Sequence, residues 1–209
     1  KLALTGWLDL SQENRASPIA FTLRDPVAER WGIMIAQMDE RLDGLEYRGE
    51  AFMQEYLSRI IASDEYAENG RPGFLINPFT DQKMEFDRYY PPHLAFEYHG
   101  PQHDGPTNKF PSTVKAQQLQ ARDMLKGAIC AEKGIALVVL RFPDLKLSTM
   151  VKKVSSAMRK LKTPLPLRDV SRDEPVIDYL EELTETHRRA AGIIDVTARR
   201  PVTGRVTGR

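Results

Sequence analysis

Residues 84–103, which read MEFDRYYPPHLAFEYHGPQH, are the stretch around which the rest of the chain is organised. Its first part, 84–89, is a short segment of mixed apolar and polar residues, and its second, 94–98, is mostly apolar. A proline pair separates the two, which is typical of a turn between adjacent strands. Pairing of these strands would bring Asp87 on the first close to Glu97 on the second.

These two acids predict a metal site. An acid in a core-forming strand costs free energy unless it is paired or binds a metal. Mg²⁺ prefers oxygen ligands, is typically held by one or two carboxylates, and both activates water and neutralises phosphate charge. We therefore expect Asp87 and Glu97 to bind Mg²⁺, or Mn²⁺ in its place. The alternative for Glu97 is an ion pair with an arginine such as Arg122 or Arg141.

Two histidines follow the second strand. His99 and His103 can take up or deliver protons near neutral pH. Zinc is the less favoured metal, because the glycine and proline between the histidines argue against a helical ligand pair and zinc would need a third soft ligand. The plainer alternative is that both imidazoles only satisfy a loop.

Patterns on both sides of this stretch predict an α/β protein with a mixed central sheet flanked by helices. A continuous apolar run at 135–140 is typical of a strand covered on both faces, and the polar segment 63–73 is expected to be a loop. Capping and periodicity predict helices at 27–43 after Asp25, 49–63, 113–133 between Ser112 and Gly134, 149–161 after the cap Ser148, and 174–191. Strands are predicted at 74–77, 84–89, 94–98 and 135–140.

The net charge of +1 hides an uneven distribution of charge. Residues 105–168 carry 13 lysines and arginines against three acids, whereas residues 1–104 carry 10 against 18. Such a basic block can bind nucleic-acid phosphates, and a solvated helical face explains it equally well. The side chains expected to contact nucleic acid are Gln102, Lys109, Lys115, Arg122, Lys126, Lys152 and Lys153.

Composition also bears on location. No apolar run approaches the ~18–20 residues needed to span a bilayer, and the N-terminal stretch is a poor signal peptide. The single cysteine, Cys130, excludes an intrachain disulfide and fits a reducing compartment. We therefore expect a cytoplasmic protein without membrane association.

The motif resembles the PD-(D/E)xK nuclease superfamily, and more narrowly its branch of very-short-patch repair endonucleases and EDxHD homing endonucleases. The resemblance covers roughly residues 48–142. It is carried by Phe86-Asp87, by Leu94 to His103, by Arg122-Asp123 with Lys126, and by Gly134 with the strand ending Leu140-Arg141-Phe142. It implies a restriction-endonuclease-like fold and a metal-dependent DNA endonuclease acting on double-stranded DNA.

The resemblance also implies roles for individual residues. Asp87 and Glu97 would be metal ligands, joined by the backbone carbonyl of Tyr98. His103 and His99 would serve in acid–base work or phosphate stabilisation. The upstream helical acid would be Glu50, with Glu55 as the alternative, and His99 stands where the superfamily has its lysine.

The expected organisation has three parts: an N-terminal accessory segment (1–47), a nuclease-like core (48–162), and a linker, helix and flexible basic tail (163–209). The terminal segments could bind other protein subunits. The alternative function is a catalytically degenerate nuclease fold that acts as a nucleic-acid-binding or scaffold subunit. A nuclease directed at RNA is a third candidate, because the phosphates of RNA and DNA look alike.

Overall fold

The computed structural model describes residues 25–45, 48–100 and 112–190. They form an α/β fold in which helices flank a four-stranded mixed sheet with the strand order β1-β2-β3-β4. The strands are β1 (Ala67–Gly70), β2 (Phe86–Tyr90), β3 (Leu94–Tyr98) and β4 (Ala136–Leu140). The α-helices are α1 (Pro26–Leu42), α2 (Gly49–Ile60), α3 (Thr113–Lys133), α4 (Leu147–Met158) and α5 (Glu174–Ala190).

The centre of the sheet is the predicted pair of strands. β2 and β3 run antiparallel with Tyr90 opposite Leu94 and Arg88 opposite Phe96. β3 and β4 are parallel, and α3 lies between them in the chain as the crossover that a parallel pair requires. The antiparallel β1 completes the other edge of the described sheet.

The two faces of the sheet bury different helices. On one face, Phe96 and Tyr90 pack into a cluster with the apolar sides of α1, α2, α4 and α5. On the other, Ala95 and Phe86 pack with Cys130 of α3 and with Leu75. The helices on both flanks of the expected core, α1 and α5, thus contribute to the same cluster as α2. Among the described residues, no helix is long and apolar enough to cross a membrane.

Several predicted boundaries are confirmed. α3 begins after Ser112, whose Oγ accepts a hydrogen bond from the Lys115 N–H at 3.3 Å, and it ends at Gly134, which adopts a φ of 67°. Asp25 caps α1 in the same way by accepting a hydrogen bond from the Val27 N–H at 2.9 Å. A left-handed residue after the last turn suits glycine, which has no Cβ to clash.

Other predictions are wrong. β1 lies in the segment 63–73 that was predicted to be a loop, whereas 74–77 contributes an isolated bridge between Ile76 and Lys83 and no strand. Ser148 does not cap α4, which begins at Leu147 with its N–H bonded to Glu181 Oε1 of α5 at 2.8 Å. β4 is half-buried over most of its length, because it is the last strand in the order of the described sheet.

Candidate active site

The site begins where β2 and β3 part. Their paired register ends at Arg88 and Phe96, and Asp87 and Glu97 are the next positions along the two strands. Here the carboxylate oxygen Oδ2 of Asp87 accepts a hydrogen bond from the backbone N–H of Tyr98 at 2.6 Å. A side-chain carboxylate therefore takes the place of a ladder carbonyl, and this bond fixes Asp87 beside Glu97.

Glu97 is buried, with 4% of its surface exposed, and it has a cationic partner. Lys126 of α3 places its Nζ 2.6 Å from Glu97 Oε1, and this lysine is itself only 7% exposed. Lys126 was expected to contact nucleic acid, and the structure places its ammonium inside the protein beside Glu97. Lys126, and neither Arg122 nor Arg141, is the partner that the structure gives to Glu97.

A second pair lies next to the first. His99 is two residues beyond Glu97, directly after the end of β3, and its Nε2 lies 3.8 Å from Oδ2 of Asp123. Asp123 and Lys126 are three apart on α3 and so share one face of the helix, while alternate residues of a strand share one face of the sheet. The end of β3 and the middle of α3 thus meet through two side-chain pairs. The acid comes from β3 in the first pair and from α3 in the second.

Glu50 approaches from the other side, in the first turn of α2. One turn later, Gln54 donates through Nε2 to Glu50 Oε1 at 3.1 Å and to the backbone carbonyl of Asp87 at 3.4 Å. Gln54 therefore ties the carboxylate of Glu50 to β2. The alternative acid, Glu55, is buried in an ion pair with Arg41 at 2.6 Å.

Electrostatics link the three acids. Burial raises the pKa of Glu50 to about 7, and the charge of Asp87 adds to this effect. Burial also raises the pKa of Glu97 to about 8, because the lowering by Lys126 does not offset it and Asp87 and Asp123 raise it further. Among the described residues of the site, carboxylates outnumber cations, so these residues favour either protons or an added cation.

The close approach of α2 to β3 depends on a glycine that sequence reasoning passed over. A Cβ built on Gly49 would lie 2.1 Å from Cζ of Tyr98 and so would overlap the phenol end of the side chain. Burial raises the pKa of Tyr98 to about 12. The signal in the sequence is a glycine immediately before Glu50 at the start of a helix, where most other residues have better helix propensity.

The donors suit a hard cation. Within the described ranges, no three His, Cys, Asp or Glu side chains form a ready-made metal cluster. Asp87 and Glu97 still provide the one or two carboxylates with which Mg²⁺ is typically bound, since that ion keeps several waters. A carboxylate has about four acceptor sites, so a bond to Tyr98 or Lys126 does not exhaust it. The residues therefore fit Mg²⁺ coordination by oxygen ligands.

The other expected contacts are distributed over the surface. Lys115 and Arg122 are exposed on α3, and Lys152 is exposed on α4. Lys153 is half-exposed, and its Nζ lies 2.7 Å from Oδ2 of Asp144. Three further expected site residues lie outside the described residues: Gln102, His103 and Lys109.

Comparisons with known proteins give one relationship. The chain is 38% identical over 80 residues to "Uncharacterized protein 033L" of Invertebrate iridescent virus 3, a match that covers 37% of this chain and 41% of the viral protein. The match thus spans less than half of that relative's length, and the relative's name carries no activity. No protein-family profile matches the chain, and no solved structure matches it.

Proposed function

We propose that the protein is a metal-dependent endonuclease that hydrolyses phosphodiester bonds in DNA, built on a restriction-endonuclease-like fold. The observation that carries the proposal is the meeting of Glu50, Asp87 and Glu97 beside the buried ammonium of Lys126. Hydrolysis of a phosphodiester needs an activated water and neutralisation of charge on the phosphate and the leaving oxygen. The acids at the two strand ends supply ligands for the cation that does both, and the acid on the helix lies beside them.

In this proposal Asp87 and Glu97 would hold Mg²⁺, with the backbone carbonyl of Tyr98 as a further oxygen ligand. When bound, the ion would supply the activated water and offset negative charge. Glu50 suits the acceptance of a proton from the attacking water, because a general base works best with a pKa near the operating pH and its pKa is raised to about 7. Gln54 would orient this base through its bond to Oε1.

The position of Lys126 supports the resemblance to the nuclease superfamily, whose motif lysine is absent from this chain. His99 occupies the strand position where the superfamily has a lysine, and α3 brings an ammonium to the neighbouring acid at 2.6 Å. Held there, Lys126 would contribute positive charge where the phosphate gains negative charge in the transition state. His99, with Asp123 beside its Nε2, would serve as the proton donor to the leaving oxygen.

Cleavage of supercoiled plasmid tests the proposal. Wild-type protein should nick or linearise DNA with Mg²⁺ and not with EDTA, and Asp87→Asn or Glu97→Gln should lower the rate roughly 100-fold or more. Asp178→Asn, an exposed acid on α5, is the matched control and should cleave as wild type. Wild-type protein that cleaves no faster than Asp87→Asn would refute the proposal.

One observation favours a second candidate, a nucleic-acid-binding subunit on a degenerate nuclease fold. The ion pair between Lys126 and Glu97 partly satisfies the buried acid without a metal. This candidate predicts salt-sensitive DNA binding that Asp87→Asn leaves unchanged, with no cleavage under any metal. Matched RNA and DNA substrates in the same assay would separate a nuclease directed at RNA from one directed at DNA.

A further inference from the structure

A cavity of about 690 Å³ lies beside the candidate active site, between α1, α2 and the edge strand β1. Its volume is within the range of about 300–1,000 Å³ that small-molecule sites occupy. Its walls combine apolar side chains, such as Met34 and Leu42, with arginines and short polar groups. Such a mixture suits a ligand with one flat apolar part and one charged part.

One wall of the cavity is formed around the buried Arg88. Arg88 is 1% exposed; its Nη1 donates to Ser58 Oγ at 3.0 Å and its Nη2 to Glu68 Oε1 at 2.6 Å. The guanidinium carbon lies 4.1 Å from the ring centroid of Tyr66, and the tyrosine remains 37% exposed. The stacked guanidinium thus holds an accessible aromatic ring at the cavity wall, a platform of the kind on which nucleobases stack.

Arginines outnumber acids by one in the lining of the cavity, and each arginine pairs with one of these acids. Five arginines line it, at positions 30, 41, 59, 88 and 168, against four acids at positions 55, 64, 68 and 173. Glu55 is shared by Arg41 at 2.6 Å and Arg59 at 3.6 Å. Among the described residues that line the cavity, the Nε groups of Arg59 and Arg88 and the Oε2 of Glu55 are buried without a hydrogen-bond partner. Guanidinium groups are suited to phosphate, which they can contact through two parallel hydrogen bonds.

The cavity is adjacent to the acids of the active site. Gln54 lines it, and the same side chain bonds to Glu50 and to the backbone of Asp87. Glu68, on the opposite wall, is close enough to contribute to the raised pKa of Glu50. A nucleic-acid strand with one phosphate at these acids would therefore have a neighbouring nucleotide close to the cavity.

We propose that this cavity binds one unpaired nucleotide of the substrate strand, with its base against Tyr66 and its phosphate held by Arg41 and Arg168. The assignment to the substrate strand rests on the proposed nuclease function. The nucleotide-binding property does not, since it follows from the ring, the arginines and the volume of the cavity.

Titration calorimetry in EDTA tests the binding separately from cleavage. The probes are a deoxynucleoside 5′-monophosphate, the matching deoxynucleoside and inorganic phosphate. The monophosphate should bind more tightly than either part alone. Binding of phosphate as tightly as the nucleotide would reduce the cavity to a simple anion site and overturn the proposal, as would the absence of binding by any probe.

Variants locate the binding. Tyr66→Leu should weaken the monophosphate roughly 5- to 100-fold through lost stacking, while Tyr66→Phe keeps the ring and should bind as wild type. Arg41→Gln should weaken the monophosphate and leave the nucleoside unaffected. Arg159→Gln, an exposed arginine after α4, is the control for lost charge. Unchanged affinity in both Tyr66→Leu and Arg41→Gln would refute the site, and because no divalent ion is present, this result is independent of nuclease activity.

Discussion

Replacing Lys126 with methionine is the most direct test of the charge balance in the site. Methionine keeps much of the side-chain length and apolar stem but removes the ammonium that lies 2.6 Å from Glu97 Oε1. Both partners are buried, at 7% and 4% exposure, so solvent does not replace the lost contact. The loss in free energy of unfolding depends on whether Glu97 is charged, and it therefore depends on pH.

The sign of this pH dependence follows from the raised pKa of Glu97, which is about 8 in the folded protein against an ordinary value of 4.5. Near pH 6 the buried acid is mostly protonated with or without Lys126, so the variant loses about 1 kcal/mol for one hydrogen bond. Without the ammonium the pKa of Glu97 rises further. At about pH 9 wild type keeps the acid charged and the variant must protonate it, which adds about 1.4 kcal/mol per pH unit above 8. The cost of a fully unpaired buried charge, about 3–5 kcal/mol, is the upper limit.

Urea denaturation followed by circular dichroism, in EDTA at both pH values, measures this difference. The loss in free energy of unfolding for Lys126→Met should be at least about 1 kcal/mol larger near pH 9, or about 2–4 °C in Tm. In a Glu97→Gln background the pH dependence of the loss should vanish. Lys133→Met, an exposed lysine at the end of α3, should cost less than about 0.5 kcal/mol at both pH values. Equal losses at the two pH values would refute the assigned electrostatics.

Two further predictions concern the metal and the packing of α2. Protons compete with a cation for Glu97, whose pKa is raised to about 8, so Mg²⁺ should raise Tm more near pH 8.5 than near pH 6. Thermal melts with Mg²⁺ or EDTA check this, and a shift that Asp87→Asn leaves intact would assign the ion to another site. Gly49→Ala should destabilise the fold by about 1–3 kcal/mol through overlap with the Tyr98 ring. The measurement is urea denaturation, and recovery in a Gly49→Ala, Tyr98→Leu double variant would confirm that the ring is the cause.

The parts of the fold that could be predicted from sequence are those with local signals. α3 has a serine cap and a glycine stop, and the structure has its predicted limits because each end is fixed by residues within the helix or next to it. β2 and β3 were predicted from alternation and a proline turn, and their pairing brings Asp87 and Glu97 together. In both cases the information lies within about twenty consecutive residues.

β1 had no such signal. Its sequence, Ala67-Glu68-Asn69-Gly70, lacks apolar alternation, and three of its four residues are exposed. It is a strand because β2 offers it a free edge and because Glu68 pairs with the buried Arg88 at 2.6 Å. β-propensity depends strongly on neighbours, so a polar edge strand follows from tertiary context and not from its own composition.

The role of Lys126 could not be predicted for a related reason. Its sequence context is an exposed, basic amphipathic helix, and only the packing of α3 against the end of β3 decides which of its charges are buried. Glu97 and His99, two apart at the end of β3, meet Lys126 and Asp123, three apart on the helix. A one-residue shift of α3 would rotate its side chains by about 100° and break both pairs together. The end of β3 therefore supplies an acid and an imidazole, and α3 supplies the ammonium. The charge of the site depends on how the side chains of α3 are aligned with those at the end of β3.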